Sequence, residues 1–248
     1  QPYDGDLDDY AQLVLEHRRT TVAAEKAANQ AERLESGERE PSQNRKEARR
    51  AEAQERQRIA ALRKPLILNY LKEQGVDLKE FDAIVGRGGL VRPLLGGTYA
   101  VNEKMLEDLR SCTYGTHVCN LGGILAAEIG QELGKPAYVV DPPVIDEMSD
   151  LAKLSGSPDF PRRPLFHALN QKAIAKRYAT EYGLSYDSLR LIVAHMGGGV
   201  TVGTHLYGKV VDVNNGLEGD GAYTAERPGS LAVVDVLRAA FSGKYGTT

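Results

Sequence analysis

A chain of 248 residues, 42% hydrophobic and 26% charged, can fold as one large domain or two modest ones around a real core. Its formal net charge of −3 gives no global attraction to nucleic acid or to an anionic membrane surface, so neither partner is expected and a small-molecule ligand is. No apolar run approaches the roughly 20 residues that cross a bilayer, the amino terminus has no basic-then-apolar leader pattern, and two cysteines are too few for a disulfide scaffold; a reduced, cytoplasmic protein is expected.

Residues 1–58 are dense in Arg, Lys, Glu and Asp, with alanine as the main apolar residue, and read as a charged helical extension. Leu7, Tyr10, Val14 and Leu15 begin a weakly apolar stripe that continues through Ala24, Ala27 and Ala31 to Leu34. Ser36-Gly37 and Pro41-Ser42 interrupt it, and a second charged helix is predicted from about Ser42 toward Ala61. Alanine offers little area to bury, so a solvated arm and a partner-binding helix pair both remain open. The chain opens at Gln1 and has no methionine before Met105, so sequence upstream of Gln1 is expected.

From about residue 59 the pattern becomes α/β. Leu66, Leu68, Tyr70 and Leu71 predict a helix ending at Gly75, and Phe81–Val85 a short strand stopped by Gly86-Arg87-Gly88-Gly89. Met105–Arg110 and Leu121–Leu133 read as helices, and Ala137–Val140 as a buried strand. That strand ends in Asp141-Pro142-Pro143, an acid at the carboxyl end of a strand, where open α/β sheets place ligands. Pro164–Tyr182 predicts one amphipathic helix. Leu189–Ala194, Val200–Thr204 and Lys209–Val213 then read as an antiparallel meander, with a lobe boundary near residue 185.

Ala194-His195-Met196-Gly197-Gly198-Gly199-Val200-Thr201 carries three glycines between two strands. Such a hairpin lets backbone N–H groups reach phosphate oxygens without side-chain obstruction, although a glycine turn is by itself more often structural. It is not a Walker loop, which needs a following Lys-Ser or Lys-Thr and a helix. Alone, Asp141 reads equally as a turn cap or an acid, and His167 as a helix cap or a donor. Cys112, His117 and Cys119 read as packed residues of a Gly-rich turn in preference to a metal set.

Phe166-His167-Ala168-Leu169-Asn170-Gln171-Lys172, Val140-Asp141-Pro142, Gly86-Arg87-Gly88-Gly89-Leu90 and Glu218-Gly219-Asp220-Gly221-Ala222-Tyr223-Thr224-Ala225-Glu226-Arg227 accompany that hairpin. Together with it, this set resembles the butyrate kinases of the acetate kinase family, over about Ile59 to Lys244. The resemblance implies the two-lobed actin-like ATPase (ribonuclease H-like) fold. Residues 59–185 would form part of the N-terminal lobe, and 186–248 the start of the C-terminal one. It implies phosphoryl transfer between ATP and a short-chain carboxylate, butanoate first and acetate, propionate or a branched acid as alternatives, with Mg2+ as cofactor and a homo-oligomeric state. A non-catalytic assembly protein with a kinase-like body is the alternative of another class.

By the same resemblance Arg87 faces the acyl substrate and Arg227 is the second active-site arginine, with Pro228 where relatives usually carry serine. Two planar guanidiniums suit a reaction that spreads charge over phosphoryl oxygens. Asp141 matches the catalytic aspartate and His167 the histidine that stabilises the transferring phosphoryl. His195, Gly197, Gly198 and Gly199 take the phosphate-binding hairpin, His195 with a structural alternative, while His117 and Asn120 are assigned to the acyl pocket; the metal ligands are not assigned. Relatives also carry an amino-terminal Asn-Pro-Gly-Ser-Thr-Ser phosphate loop and a carboxyl-terminal adenosine pocket, neither of which is found in this sequence. Little activity is therefore expected of the chain alone, and exposed strand edges favour self-association.

Overall fold

The computed structural model describes residues 41–242, which fall into two compact units: residues 50–232 form one, and residues 41–49 and 233–242 belong to the other. The helix expected over residues 7–34 lies outside the described residues. Helix α1 (Pro41–Glu73) is one continuous helix of 33 residues, where a break near Ala61 is expected from sequence. It carries Pro65 in its interior. Proline removes one backbone hydrogen bond there. Anchoring in the turns just ahead of it offsets that loss: Ile59 and Ala60 are buried in the main core, and Lys64 Nζ reaches Glu132 Oε2 at 2.6 Å. Gly75 then stops the chain in the left-handed conformation at φ +72°, with Val76 N–H donating to Leu71 O.

Three short strands form the first sheet, in the order β1 (Ile84–Gly86), β3 (Ala137–Val140), β2 (Thr98–Ala100). β1 runs parallel to β3, with Gly86 opposite Val139, and β2 runs antiparallel to it, with Thr98 opposite Val140. Helix α2 (Glu103–Ser111) starts at Asn102, whose side chain accepts from Met105 N–H at 2.9 Å. Helix α3 (Asn120–Leu133) packs directly on β1, and it does so because neither side has a side chain at the contact: a Cβ on Gly86 would collide with the carbonyl of Gly122. Leu90, Val91, Leu106, Leu109, Leu121, Ile124 and Val144 complete the core between these helices and the sheet.

The second sheet is the expected meander of β4 (Arg190–Met196), β5 (Val200–Leu206) and β6 (Lys209–Val213), antiparallel throughout. Helix α4 (Ala168–Glu181) covers one face of it, with Ala175 and Ala179 packed against Tyr186, Leu189, Leu191 and Val193. It begins four residues later than the expected Pro164, because Phe166 turns inward as a buried plug and its N–H donates to Pro143 O. In the other unit, helix α5 (Val233–Phe241) has no buried residue. Among the described residues no helix is long and apolar enough to cross a membrane.

Candidate active site

The parallel pairing of β1 and β3 sends the turns that follow them, Arg87–Leu90 and Asp141–Val144, off the same edge of the sheet. They touch: a Cβ on Gly88 would lie 2.9 Å from both Pro142 Cβ and Val139 Cγ1, and φ at Gly88 is +90°, so only glycine fits. Gly88 to Leu90 are buried and Arg87 is exposed. Asn120 ties this loop to α3. Its Oδ1 accepts from Leu90 N–H at 2.8 Å, its Nδ2 donates to Gly115 O at 3.0 Å, and it is fully buried. Its amide therefore positions the Arg87 loop.

Asp141 is only 3% exposed and holds φ +41°, a left-handed conformation that aspartate tolerates better than most residues. Two reciprocal hydrogen bonds fix it: Gly97 N–H donates to Asp141 Oδ1 at 2.8 Å and Asp141 N–H donates to Gly97 O at 2.9 Å. The neighbouring Gly96 N–H donates to Glu147 Oε1 at 2.9 Å. Glu147 is in turn paired with Lys172, whose Nζ lies 2.8 Å from both carboxylate oxygens, with side-chain exposures of 6% and 5%. Val210 N–H donates to the other Glu147 oxygen and Lys172 also reaches Gly208 O, so this buried pair has all its partners. Burial raises the pKa of Glu147, but the hydrogen bond from Lys172 and those from Val210 and Gly96 outweigh it and hold the carboxyl below its usual range.

The Phe166–Pro143 contact places His167 beside the Asp141 turn. His167 makes no side-chain cap on α4. Its Nδ1 lies 3.0 Å from Thr201 Oγ1, and its ring stacks on His195 with centroids 3.7 Å apart and planes at 13°. His195 Nδ1 donates in turn to Asn170 Oδ1 at 2.9 Å.

Gly197–Gly199 close the β4–β5 hairpin, with Gly197 N–H donating to Gly199 O at 3.2 Å. Thr224 clamps the Arg227 turn onto it. The Thr224 hydroxyl donates to Gly198 O at 2.6 Å, and the N–H groups of Glu226 and Arg227 donate to Thr224 Oγ1 at 3.2 and 3.0 Å. The bare glycines make room for what lies across them. A Cβ on Gly199 would run into the Arg227 guanidinium and sit 3.2 Å from His167 Cε1, and one on Gly198 would sit 2.5 Å from Glu226 Oε2.

His167, His117 and His195 share one electrostatic neighbourhood with Arg87 and Arg227. Burial, then His195, Arg227, Arg87 and His117, push the His167 pKa down to about 4. Burial, then Arg227 and Arg87, lower His117; burial, then Arg87, lower His195. Three neutral imidazoles thus lie within electrostatic reach of one or both of two permanent cations, an arrangement suited to an anion with several oxygens. Nδ1 of His117 accepts from Cys119 N–H at 3.2 Å, so its proton sits on Nε2. Burial pushes the Cys119 thiol up to about 12, against the pull of Arg87, and leaves it unreactive. Among the described residues no group of three or more His, Cys, Asp or Glu side chains is placed to hold a metal.

Arg87, His117, His167, His195, Arg227 and the glycine hairpin are thus brought together, with Asp141 on the adjoining turn. Sequence reasoning passed over Gln171, Thr201 and Thr224, which hold this arrangement. The buried face of β5 is Thr201, Gly203 and His205, polar or bare throughout, and an inward-facing polar strand beside a glycine hairpin was the available signal.

No family model matches the chain. It is 56% identical over 183 residues to butyrate kinase 2 of Clostridium acetobutylicum, covering 74% of this chain and 51% of that protein. Butyrate kinase 1 of the same organism is 53% identical over the same length, covering 74% of this chain and 52% of that protein. Among solved structures, acetate kinase of Porphyromonas gingivalis superposes with TM-score 0.57 at 20% identity, over 73% of this chain and 49% of that one. A propionate kinase of Francisella tularensis does so with TM-score 0.54 at 18% identity, over 73% and 49%. The chain spans about half the length of the curated relatives it matches. Over the matched segment it is homologous to the butyrate kinases, a partial match to that family on the α/β, actin-like ATPase fold shared with the acetate kinases.

Proposed function

We propose that this chain carries the acyl- and phosphoryl-facing part of a short-chain fatty acid kinase, which converts ATP and butanoate to ADP and butanoyl phosphate by in-line transfer. The observation that supports it most is the convergence of Arg87 and Arg227 on three imidazoles beside the Gly197–Gly199 hairpin. In this reading the two guanidiniums neutralise carboxylate and phosphoryl oxygens, and charge neutralisation with positioning is most of what phosphoryl transfer requires. His167 donates a hydrogen bond to an equatorial oxygen, and Asp141 orients the attacking carboxylate.

Asp141 and substrate phosphates would hold Mg2+, an ion that keeps several waters and needs few protein carboxylates; it would supply further neutralisation of phosphate charge. Asp141 Oδ1 is held by Gly97 N–H, so Oδ2 is the oxygen that would face the ion, with Lys176 Nζ 3.8 Å from it as the cation already nearby. A cytoplasmic location and a homo-oligomeric state belong to the same reading. Because catalysis by positioning needs every oxygen-facing group at once, slow turnover is expected of this chain alone.

Calorimetric titration of the chain with butanoyl phosphate tests the proposal. Saturable binding, weakened about tenfold or more by Arg87→Gln and by Arg227→Gln, is expected from the loss of a bidentate charged contact. No binding, or binding indifferent to both arginines, overturns it. A coupled assay of ADP release with acetate, propionate, butanoate and branched acids ranks the acceptors.

A further inference from the structure

A line of buried hydrogen bonds runs from Tyr186 to His167. Tyr186 Oη lies 2.8 Å from His205 Nδ1, His205 Nε2 lies 3.0 Å from Gln171 Oε1, and Gln171 Nε2 lies 2.9 Å from Thr201 Oγ1 and 3.0 Å from Thr201 O. Thr201 Oγ1 lies 3.0 Å from His167 Nδ1. Gln171 and Thr201 are fully buried and His205 is 1% exposed, so no solvent can rescue a donor left unpaired.

The direction of every proton follows from one backbone atom. Thr201 O is a carbonyl and can only accept, so the Gln171 group facing it is the amide nitrogen and the group facing His205 is the carbonyl oxygen. His205 Nε2 therefore carries a proton. Tyr186 keeps its own, because burial and then the nearby acids push its pKa well above the usual phenol, and it donates to Nδ1 of a neutral His205. At the other end, the Gln171 amide donates one hydrogen to Thr201 O and the other to Thr201 Oγ1. Among the described residues the Thr201 hydroxyl proton then has one acceptor left within hydrogen-bond reach, His167 Nδ1.

We propose that Gln171 and Thr201 are positioning residues that lock His167 as the Nε2–H tautomer, with its proton on the ring edge away from β5. Nδ1 is anchored to buried Thr201, and among the described residues Nε2 has no hydrogen-bond partner and is not a buried orphan. His167 Cε1, the ring carbon next to Nε2, borders the space over Gly199 that the Arg227 guanidinium also enters. A neutral imidazole in the other tautomer would present a lone pair to an incoming anion and repel it. The relay turns a residue that could either donate or accept into a permanent donor. The use of that donor rests on the kinase reading; the tautomer itself does not.

Long-range 1H–15N correlation of the histidine rings in the intact chain near neutral pH tests the inference. His167 is expected with Nδ1 at the unprotonated and Nε2 at the protonated 15N position. Thr201→Val removes the hydroxyl at nearly constant volume and is expected to shift the His167 tautomer ratio toward Nδ1–H about fivefold or more, the worth of one hydrogen bond. Thr201→Ser is expected to restore it, with the His117 signals unchanged in both. A wild-type His167 protonated on Nδ1 overturns the inference, whether or not the variants fold, and so does a ratio that Thr201→Val leaves unmoved. If the tautomer is as stated but butanoyl phosphate does not bind, the relay stands and the kinase reading fails.

Discussion

The imidazoles of His167 and His195 lie face to face, centroids 3.7 Å apart and planes 13° from parallel. Two stacked rings at that distance share their aromatic faces only while at most one is charged, and Arg87 adds to the cost of protonating either. The stack belongs to a site built to stay neutral on its histidines and positive on its arginines.

That neutrality appears in the acid limb of stability. His167 and His205 titrate at about 4 in the folded chain against an ordinary 6.5, in both cases chiefly through burial. Between those values the unfolded chain binds protons that the folded chain refuses, so stability falls as pH drops from about 6.5 to about 4 and is flat in this respect above 6.5. Urea midpoints measured across that window are expected to decline. His205→Gln, which keeps a donor toward Gln171, is expected to reduce the slope by up to about 1.4 kcal/mol per pH unit. An unchanged slope would count against a low folded pKa for His205.

Gly199→Ala separates site from fold. The new methyl group meets the end of a flexible side chain, the Arg227 guanidinium, and the backbone at Gly199 is not in the left-handed region. The thermal midpoint is expected to move by no more than a few degrees, about what 1 kcal/mol does in a domain of this size. Butanoyl phosphate binding is expected to weaken about tenfold or more as Arg227 is displaced. Calorimetry and a melting curve on the same preparation check both.

At Asp141 two substitutions part company. Asn keeps an oxygen for Gly97 N–H and tolerates φ +41°, so Asp141→Asn is expected to fold normally while losing the charge the kinase reading needs. Asp141→Ala orphans that N–H and strains the backbone, at a cost of about 1–3 kcal/mol for the lost partner alone. Denaturant titration distinguishes the two.

Lys172→Met leaves the Glu147 carboxylate buried with two backbone donors and no cation. A loss of roughly 3–5 kcal/mol is expected, because removing one partner strands a buried charge. Equilibrium unfolding measures it. The double change Lys172→Met with Glu147→Leu is expected to recover part of that loss.

What was legible in the sequence was what short-range pattern decides. Ala137–Val140 is a strand as expected, since Pro136 and Asp141-Pro142 bound a run of Tyr and Val, and the meander follows from β-branched alternation around Gly-rich turns. The four motifs pointed to Arg87, Asp141, His167 and Arg227 through the family resemblance; Arg87 and Asp141 follow β1 and β3 and His167 precedes α4, whereas Arg227 lies in a turn away from any strand or helix. Long-range packing hid the rest. Strand β2 is three residues whose pairing is set by β3 some forty positions away along the chain, so its own sequence carries little signal. Helix α1 runs through Pro65 because Ile59, Ala60 and Lys64 are anchored elsewhere. The Gln171–Thr201 contact joins residues 30 apart that only the docking of α4 on β5 makes neighbours.

Gly96 shows how far the reach of such a site extends. Its N–H is held by Glu147, its Cα faces Lys172, and a Cβ there would collide with the ammonium and lie 2.5 Å from Glu147 Oε1, while the next residue along the chain holds Asp141. A saturation screen for inactive alleles would therefore mark Gly96 as intolerant although it meets no reactant. The map of indispensable positions would trace an ammonium–carboxylate brace inside the protein as clearly as the cleft itself.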